Sequence, residues 1–142
     1  MVTSLLKTKF YRPKPSPNNI LRPRLHKTLD KGLSGKLTLV AAPAGFGKTT
    51  LISSWVQQHS QVFAWVSLDQ ADNDVTIFWA YVVSALQQVC GRIHSTPLTA
   101  FDPGQLPSTQ VLLTTLINGL AAIPQKIVLV LDDYHVISNP AI

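Results

Sequence analysis

Two short runs of this 142-residue chain hold residue types that do chemistry together. The first is Ala42, Pro43, Ala44, Gly45, Phe46, Gly47, Lys48, Thr49 and Thr50. It follows the apolar run 37–41 and precedes a helical pattern over 51–58. A strand, a glycine-containing turn and Gly-Lys-Thr opening a helix form a phosphate-binding loop pattern. Gly45 and Gly47 let the backbone curl so that successive N–H groups face phosphate oxygens. The helix N-terminus adds donors and a partial positive charge. Lys48 is placed to reach the β- and γ-phosphates, and the Thr49 hydroxyl to ligate magnesium. The usual pattern opens on glycine, where this chain has Ala42; the alternative is a βα turn that binds nothing. The expectation is a nucleoside triphosphate, ATP first, with Mg2+.

The second run is Ile127 to His135, an apolar stretch ending in Asp132 and Asp133. In phosphate-loop proteins the acid ending such a strand orients the magnesium, and Asp132 fits that place. It would stand at the carboxyl end of a parallel strand, where open α/β sheets bind ligands. Asp133 is the candidate catalytic residue, placed to orient or polarise an attacking water. The plainer alternative is that both acids begin a surface loop. His135 is read as a loop residue, and Asp69 and Asp72 as solvated or capping acids.

These residues need elements to position them. Residues 25–33 read as a short helix ended by Gly32 and Gly35. Residues 36–41 read as a buried parallel strand and 49–58 as the first crossover helix. Residues 61–68 are β-prone, with Val62, Phe63, Trp65 and Val66. An acidic loop over 69–74 ends at Asp74, a candidate N-cap. The helix over 75–90 puts Phe78, Val82, Ala85, Leu86 and Val89 on one stripe, read as core. A proline-containing loop follows over 91–107. Ser108 or Thr109 opens another helix to about 122, with Leu112, Leu116 and Leu120 on one face. Residues 127–131 form a further buried strand. Strand–helix alternation predicts an α/β fold with a parallel sheet.

Composition sets the outer limits. Hydrophobic residues make up 46% of the chain and charged residues 13%, which suits a buried core rather than disorder. The single cysteine, Cys90, excludes an internal disulfide and a multi-cysteine metal site. With no signal-like N-terminus, a reduced cytoplasmic setting is expected. Asn118, Pro124, Gln125 and Lys126 interrupt the apolar stretch 111–131, so no membrane span is expected. The net charge of +5 is concentrated early: Lys7, Lys9, Arg12, Lys14, Arg22, Arg24, Lys27 and Lys31 precede residue 32, with Asp30 the one acid among them. Residues 1–24 are read as a proline-rich basic leader, solvated and packed along a domain over 25–142. Its alternatives are phosphate-backbone contact or a part in the nucleotide pocket.

Segments 5–13, 22–25, 37–51, 64–74, 78–87 and 128–137 together resemble the MalT-type transcriptional activators, large LuxR-family regulators of the STAND class of P-loop NTPases. The resemblance implies a three-layer P-loop NTPase sheet with flanking helices, here incomplete and ending after the Walker B strand. It implies a slow regulatory ATPase acting as a switch: ADP holds a resting monomer, while inducer and ATP favour a self-associating, DNA-binding state. Ala42 to Thr49 would hold the nucleotide and Asp132 the metal, with Arg22 and Pro23 near the adenine. The sensor arginine, inducer-binding repeats and helix-turn-helix of that family have no counterpart in these 142 residues. The isolated chain is therefore expected to bind ATP at best and to be poorly stable. Two other readings stand beside this one: a small P-loop kinase, and a non-functional fragment that folds only with a partner.

Overall fold

The computed structural model describes residues 4–91 and 102–142. Its elements in chain order are α1 (Pro23–Gly32), α2 (Lys48–Gln57), β1 (Val62–Ser67), α3 (Val75–Cys90), α4 (Thr109–Ala121) and β2 (Ile127–Asp132). Single 3-10 turns occupy Lys7–Phe10, Gln70–Asn73 and Tyr134–Val136. The chain divides into two compact units, Met1–Tyr11 with Gln61–Ile142, and Arg12–Ser60.

The larger unit is a mixed α/β assembly. β1 and β2 pair in parallel from Val62 opposite Ile127 to Ser67 opposite Asp132. Parallel neighbours need a long crossover, and this one contains α3 and α4. The expected loop over 91–107 falls largely on residues outside those described. Ala64, Val66 and Leu68 pack with Phe78, Tyr81, Val82, Val83, Ala85, Leu86 and Cys90 of α3, and with Leu112 and Leu116 of α4. The stripe read from the sequence thus faces the core. Asp74 caps α3, accepting from the Thr76 and Ile77 amides at 2.8 and 3.0 Å. Ser108 stands at the N-cap of α4 but makes no side-chain cap bond.

Two strand expectations need correction. Residues 36–41 form no strand, and Leu37 and Leu39 are 87% and 80% exposed. An apolar run becomes a buried strand only where a neighbour completes its ladder, and among the described residues only β1 and β2 pair. β2 itself is half-buried along its whole length rather than buried, since the described sheet supplies a partner on one edge alone.

The basic leader also differs from expectation. Lys9 is buried, and its ammonium lies 2.8 and 2.7 Å from the two carboxylate oxygens of Asp72. Asp69 Oδ2 is 2.8 Å away. Asp72 is fully buried while the Asp69 side chain stays half exposed, and both act as the capping acids that the sequence allowed. The two acids form a reciprocal box: Asp72 accepts from the Asp69 amide at 2.8 Å, and Asp69 accepts from the Ala71 amide at 2.9 Å. The Lys9 ammonium also sits 4.6 Å from the Tyr81 ring centroid, within cation–π reach. Burial pulls the Lys9 pKa down, but the hydrogen bonds to Asp69 and Asp72 outweigh it and leave the pKa raised. The Lys9 hydrogen bond lowers that of Asp69 against a smaller opposing effect of burial.

In the Arg12–Ser60 unit, α1 and α2 meet through polar groups. His26 hydrogen-bonds Gln58 Oε1 through Nδ1 at 3.0 Å and Ser54 Oγ through Nε2 at 3.1 Å. The Trp55 indole N–H donates to Asp30 at 2.8 Å, and His59 Nε2 lies 2.9 Å from the same carboxylate. The buried Ser53 hydroxyl donates to the Pro13 carbonyl, which ties the proline-rich segment to α2. After α1 the chain folds back closely. A Cβ on Gly32 would run into the Thr38 side chain, which would have to turn aside to admit it.

Breaking the buried ion pair from one side should be costly, because the remaining charge stays in the interior. Lys9→Met and Asp72→Asn should each lower the unfolding free energy by about 3–5 kcal/mol, with most of the loss recovered in the double variant. Urea unfolding measures this, and single-variant losses under about 1 kcal/mol would remove the pair from its structural role. The pH dependence has two limits. Lys9, with its raised pKa, contributes fully below about pH 10.4 and loses that contribution as pH climbs through the folded value. Asp69, with its lowered pKa, contributes above about pH 3.9 and loses its share on further acidification.

Candidate functional site

The loop 42–50 lies wholly within the Arg12–Ser60 unit. Gly45 and Gly47 have φ of 81° and 78°, in the left-handed region that a side chain resists. A Cβ at either would meet nothing within 4 Å, so the backbone conformation rather than crowding requires glycine. Gly47 is the N-cap of α2 and brings no capping side chain. Its carbonyl accepts the Leu51 amide at 2.9 Å to start the helix, and the Phe46 amide reaches the Pro43 carbonyl at 3.4 Å.

Lys48 is the first helical residue. Its ammonium folds back over the loop and donates to the Ala42 and Pro43 carbonyls at 2.6 and 3.1 Å. The cation is thus held against the backbone of its own loop. Ala42, Pro43, Ala44 and Phe46 are exposed, as is Thr50, while Lys48 and Thr49 are half-buried. Beside the loop is a shallow cavity of about 100 Å³ lined by Asn19, Ile20, Arg22, Gly47, Thr50, Leu51 and Ser54. Left-handed glycines, a lysine turned over the loop and a threonine in the first helical turn suit a chain of phosphates with magnesium.

Asp132 and Asp133 lie in the other unit. Asp132 ends β2, and its carbonyl accepts the Leu68 amide at 3.0 Å, extending the β1–β2 ladder past Ser67. Its Oδ1 accepts the Asp133 amide at 3.1 Å. Asp133 has φ 58° and ψ 32°, the one non-glycine residue with positive φ among those described. This turns the chain sharply into the Tyr134–Val136 turn and leaves both carboxylates at the carboxyl end of the strand. His135 is exposed, with Nδ1 4.0 Å from Asp133 Oδ1. Among the described residues, no group of three or more His, Cys, Asp or Glu could hold a metal by itself.

One residue of this region was missed from sequence. Asn73 donates to the Val136 carbonyl at 2.8 Å and accepts the Ser138 and Asn139 amides at 2.6 and 3.2 Å. Asn139 Nδ2 in turn donates to the Asn73 carbonyl at 2.8 Å. The 69–74 turn therefore holds the segment that follows the paired acids. The available signal was the acid spacing, Asp69 and Asp72 three apart, which is that of a capping box. A box of that kind marks a built turn rather than a solvated loop.

No family model matches the chain. Over 138 residues it is 37% identical to the HTH-type transcriptional regulator MalT of Cronobacter sakazakii (strain ATCC BAA-894), a match covering 97% of this chain. The chain spans about 15% of the length of that relative. Both the loop 42–50 and the run 127–135 lie inside the matched region. No helix among the described residues is long and apolar enough to cross a membrane.

If Asn73 holds the segment after the acids, Asn73→Ala should release it without unfolding the sheet. Amide hydrogen exchange at Ser138 and Asn139 should speed up at least tenfold, about 1.4 kcal/mol of lost protection, while amides of β1 change little. Unchanged exchange at both positions would contradict the assignment.

Proposed function

We propose that this chain is the ATP-binding portion of a MalT-type transcriptional regulator, with the P-loop NTPase fold of that class. The observation that carries the reading is the loop itself: left-handed Gly45 and Gly47 flank Phe46, and the Lys48 ammonium lies over the turn. The similarity to a named transcriptional regulator across nearly the whole chain supports it.

Bound ATP with Mg2+ would supply the phosphate chain and the charge that the switch senses. Backbone N–H groups from Gly45 to Thr50 receive phosphate oxygens, a task for which the helix start is already polarised. Lys48 exchanges two carbonyl contacts for the β- and γ-phosphates, a stronger charge-assisted interaction. Thr49 and Asp132 serve the magnesium, and Asp133 orients water for hydrolysis. Arg22, on the wall of the cavity beside Gly47 and Thr50, meets the base end of the nucleotide. In the full regulator, ADP holds the resting form. ATP favours self-association and DNA binding through regions outside this chain.

Ligand binding to the native state must raise its stability by mass action, by about 2.7 kcal/mol at a hundredfold excess over Kd. Thermal unfolding with and without Mg-ATP should show such a shift for the wild-type chain and none for Lys48→Ala. Asp132→Asn should keep binding ATP but lose most of the magnesium-dependent part. An equal shift in Lys48→Ala, or no shift in the wild type, would overturn the reading.

A further inference from the structure

The two units differ sharply in charge. Arg12–Ser60 holds eight Lys and Arg residues and one acid, a formal +7; the other unit holds four basic residues and six acids, a formal −2. Within the basic unit the charge is ordered. Arg24, Lys27 and Lys31 of α1 are all exposed, whereas His26 and Leu29 are buried. At about 100° per residue the three cations fall within roughly 60° of one another, and the buried pair lies opposite. The stripe rises about 10 Å from Arg24 to Lys31. Among the described residues none of the three is ion-paired with a carboxylate. The one acid of the unit, Asp30, is turned away onto Trp55 and His59 of the α2 end. Arg12, Lys14 and Lys36 are exposed in the same unit.

We propose that the exposed face of α1, through Arg24, Lys27 and Lys31, binds the phosphate backbone of duplex DNA without reading its sequence. Phosphates recur every 3.4 Å or so along one strand, so a 10 Å stripe of three cations spans about three of them. The stripe carries no aromatic, Asn or Gln side chain, and two of its three cations are lysines, point charges suited to phosphate oxygens. On α1 itself the buried His26 and Leu29 lie opposite the cations, so the stripe has no apolar side chains of its own to insert among lipids. The proposal does not involve Lys48 and stands apart from the nucleotide reading.

The test uses the whole chain and a fluorescein-labelled duplex of arbitrary sequence. Binding is followed by anisotropy as salt is raised from about 50 to 200 mM. Wild type should bind, and its affinity should fall steeply with salt. Arg24→Gln/Lys27→Gln/Lys31→Gln should bind more weakly and flatten the log–log salt slope by nearly 3 units. Lys7→Gln/Lys126→Gln, which changes charge in the other unit, should keep the wild-type slope. The measurement contains no nucleotide, so failure of the nucleotide reading leaves this test intact. Far-ultraviolet circular dichroism checks that the triple variant keeps its helices. The proposal fails if the triple variant keeps the wild-type slope, if wild type does not bind at the lowest salt, or if it binds anionic phosphatidylserine vesicles in preference to duplex.

Discussion

A buried ammonium tolerates no unpaired hydrogen. That requirement at Lys9 organises the larger unit. Its charge is out of water, so it must be met by carboxylates at hydrogen-bond distance, and Asp69 and Asp72 meet it. To place those two acids on one cation, the chain between them must turn within four residues, which fixes the Gln70–Asn73 turn. Tyr81 completes the arrangement. Its ring lies under the cation and its hydroxyl accepts the Leu6 amide at 3.1 Å. The N-terminal segment, the turn and α3 are thereby held to one another by a single charge.

From that turn the constraint passes to the paired acids. Asn73 is the last residue of the turn, and its amide group holds the backbone at Val136, Ser138 and Asn139. Ahead of the acids, the Leu68 amide holds Asp132 through its carbonyl. The run Asp132–Tyr134 is thus anchored on both sides by residues adjoining or within the 69–74 segment. This gives a physical reason for segments 5–13, 64–74 and 128–137 to occur together: each supplies one side of the same network. The phosphate-type loop rests on different means. There the backbone is set by two glycines, and α2 is held to α1 by a polar interface through Ser54, Trp55 and Gln58.

What the sequence made legible follows from the range of the interactions involved. α3 could be read to its last residue because its stripe, its Asp74 cap and its length are all local. Gly45 and Gly47 were legible because only glycine adopts that backbone freely. Residues 36–41 read as a buried strand because an apolar run bounded by a turn is a local feature, but a ladder also needs a neighbour, and no pattern within six residues supplies one. Lys9 read as a solvated leader charge because its partners lie sixty or more residues away. Asn73 was invisible for the same reason: an Asn in an acidic loop looks like any turn residue until its partners arrive from residues 136–139.

The two acids at the end of β2 are alike in sequence and unlike in structure, and the difference bears on their separate roles. Asp132 keeps strand geometry, in register with Ser67, so its side chain is directed by the sheet. Asp133 is left-handed, a conformation that Asp tolerates better than most residues but that still stores some strain. Two successive carboxylates in an extended strand would point to opposite faces. The left-handed step at the second breaks that alternation as the strand ends, so both acids stand at its carboxyl end with exposed or half-exposed side chains. A β-branched residue at position 133 would resist the turn and tend to prolong the strand, whereas glycine would permit it. The backbone requirement at this position is therefore separable from any chemical one: glycine preserves the turn and removes the carboxylate, so it isolates what the Asp133 side chain itself contributes.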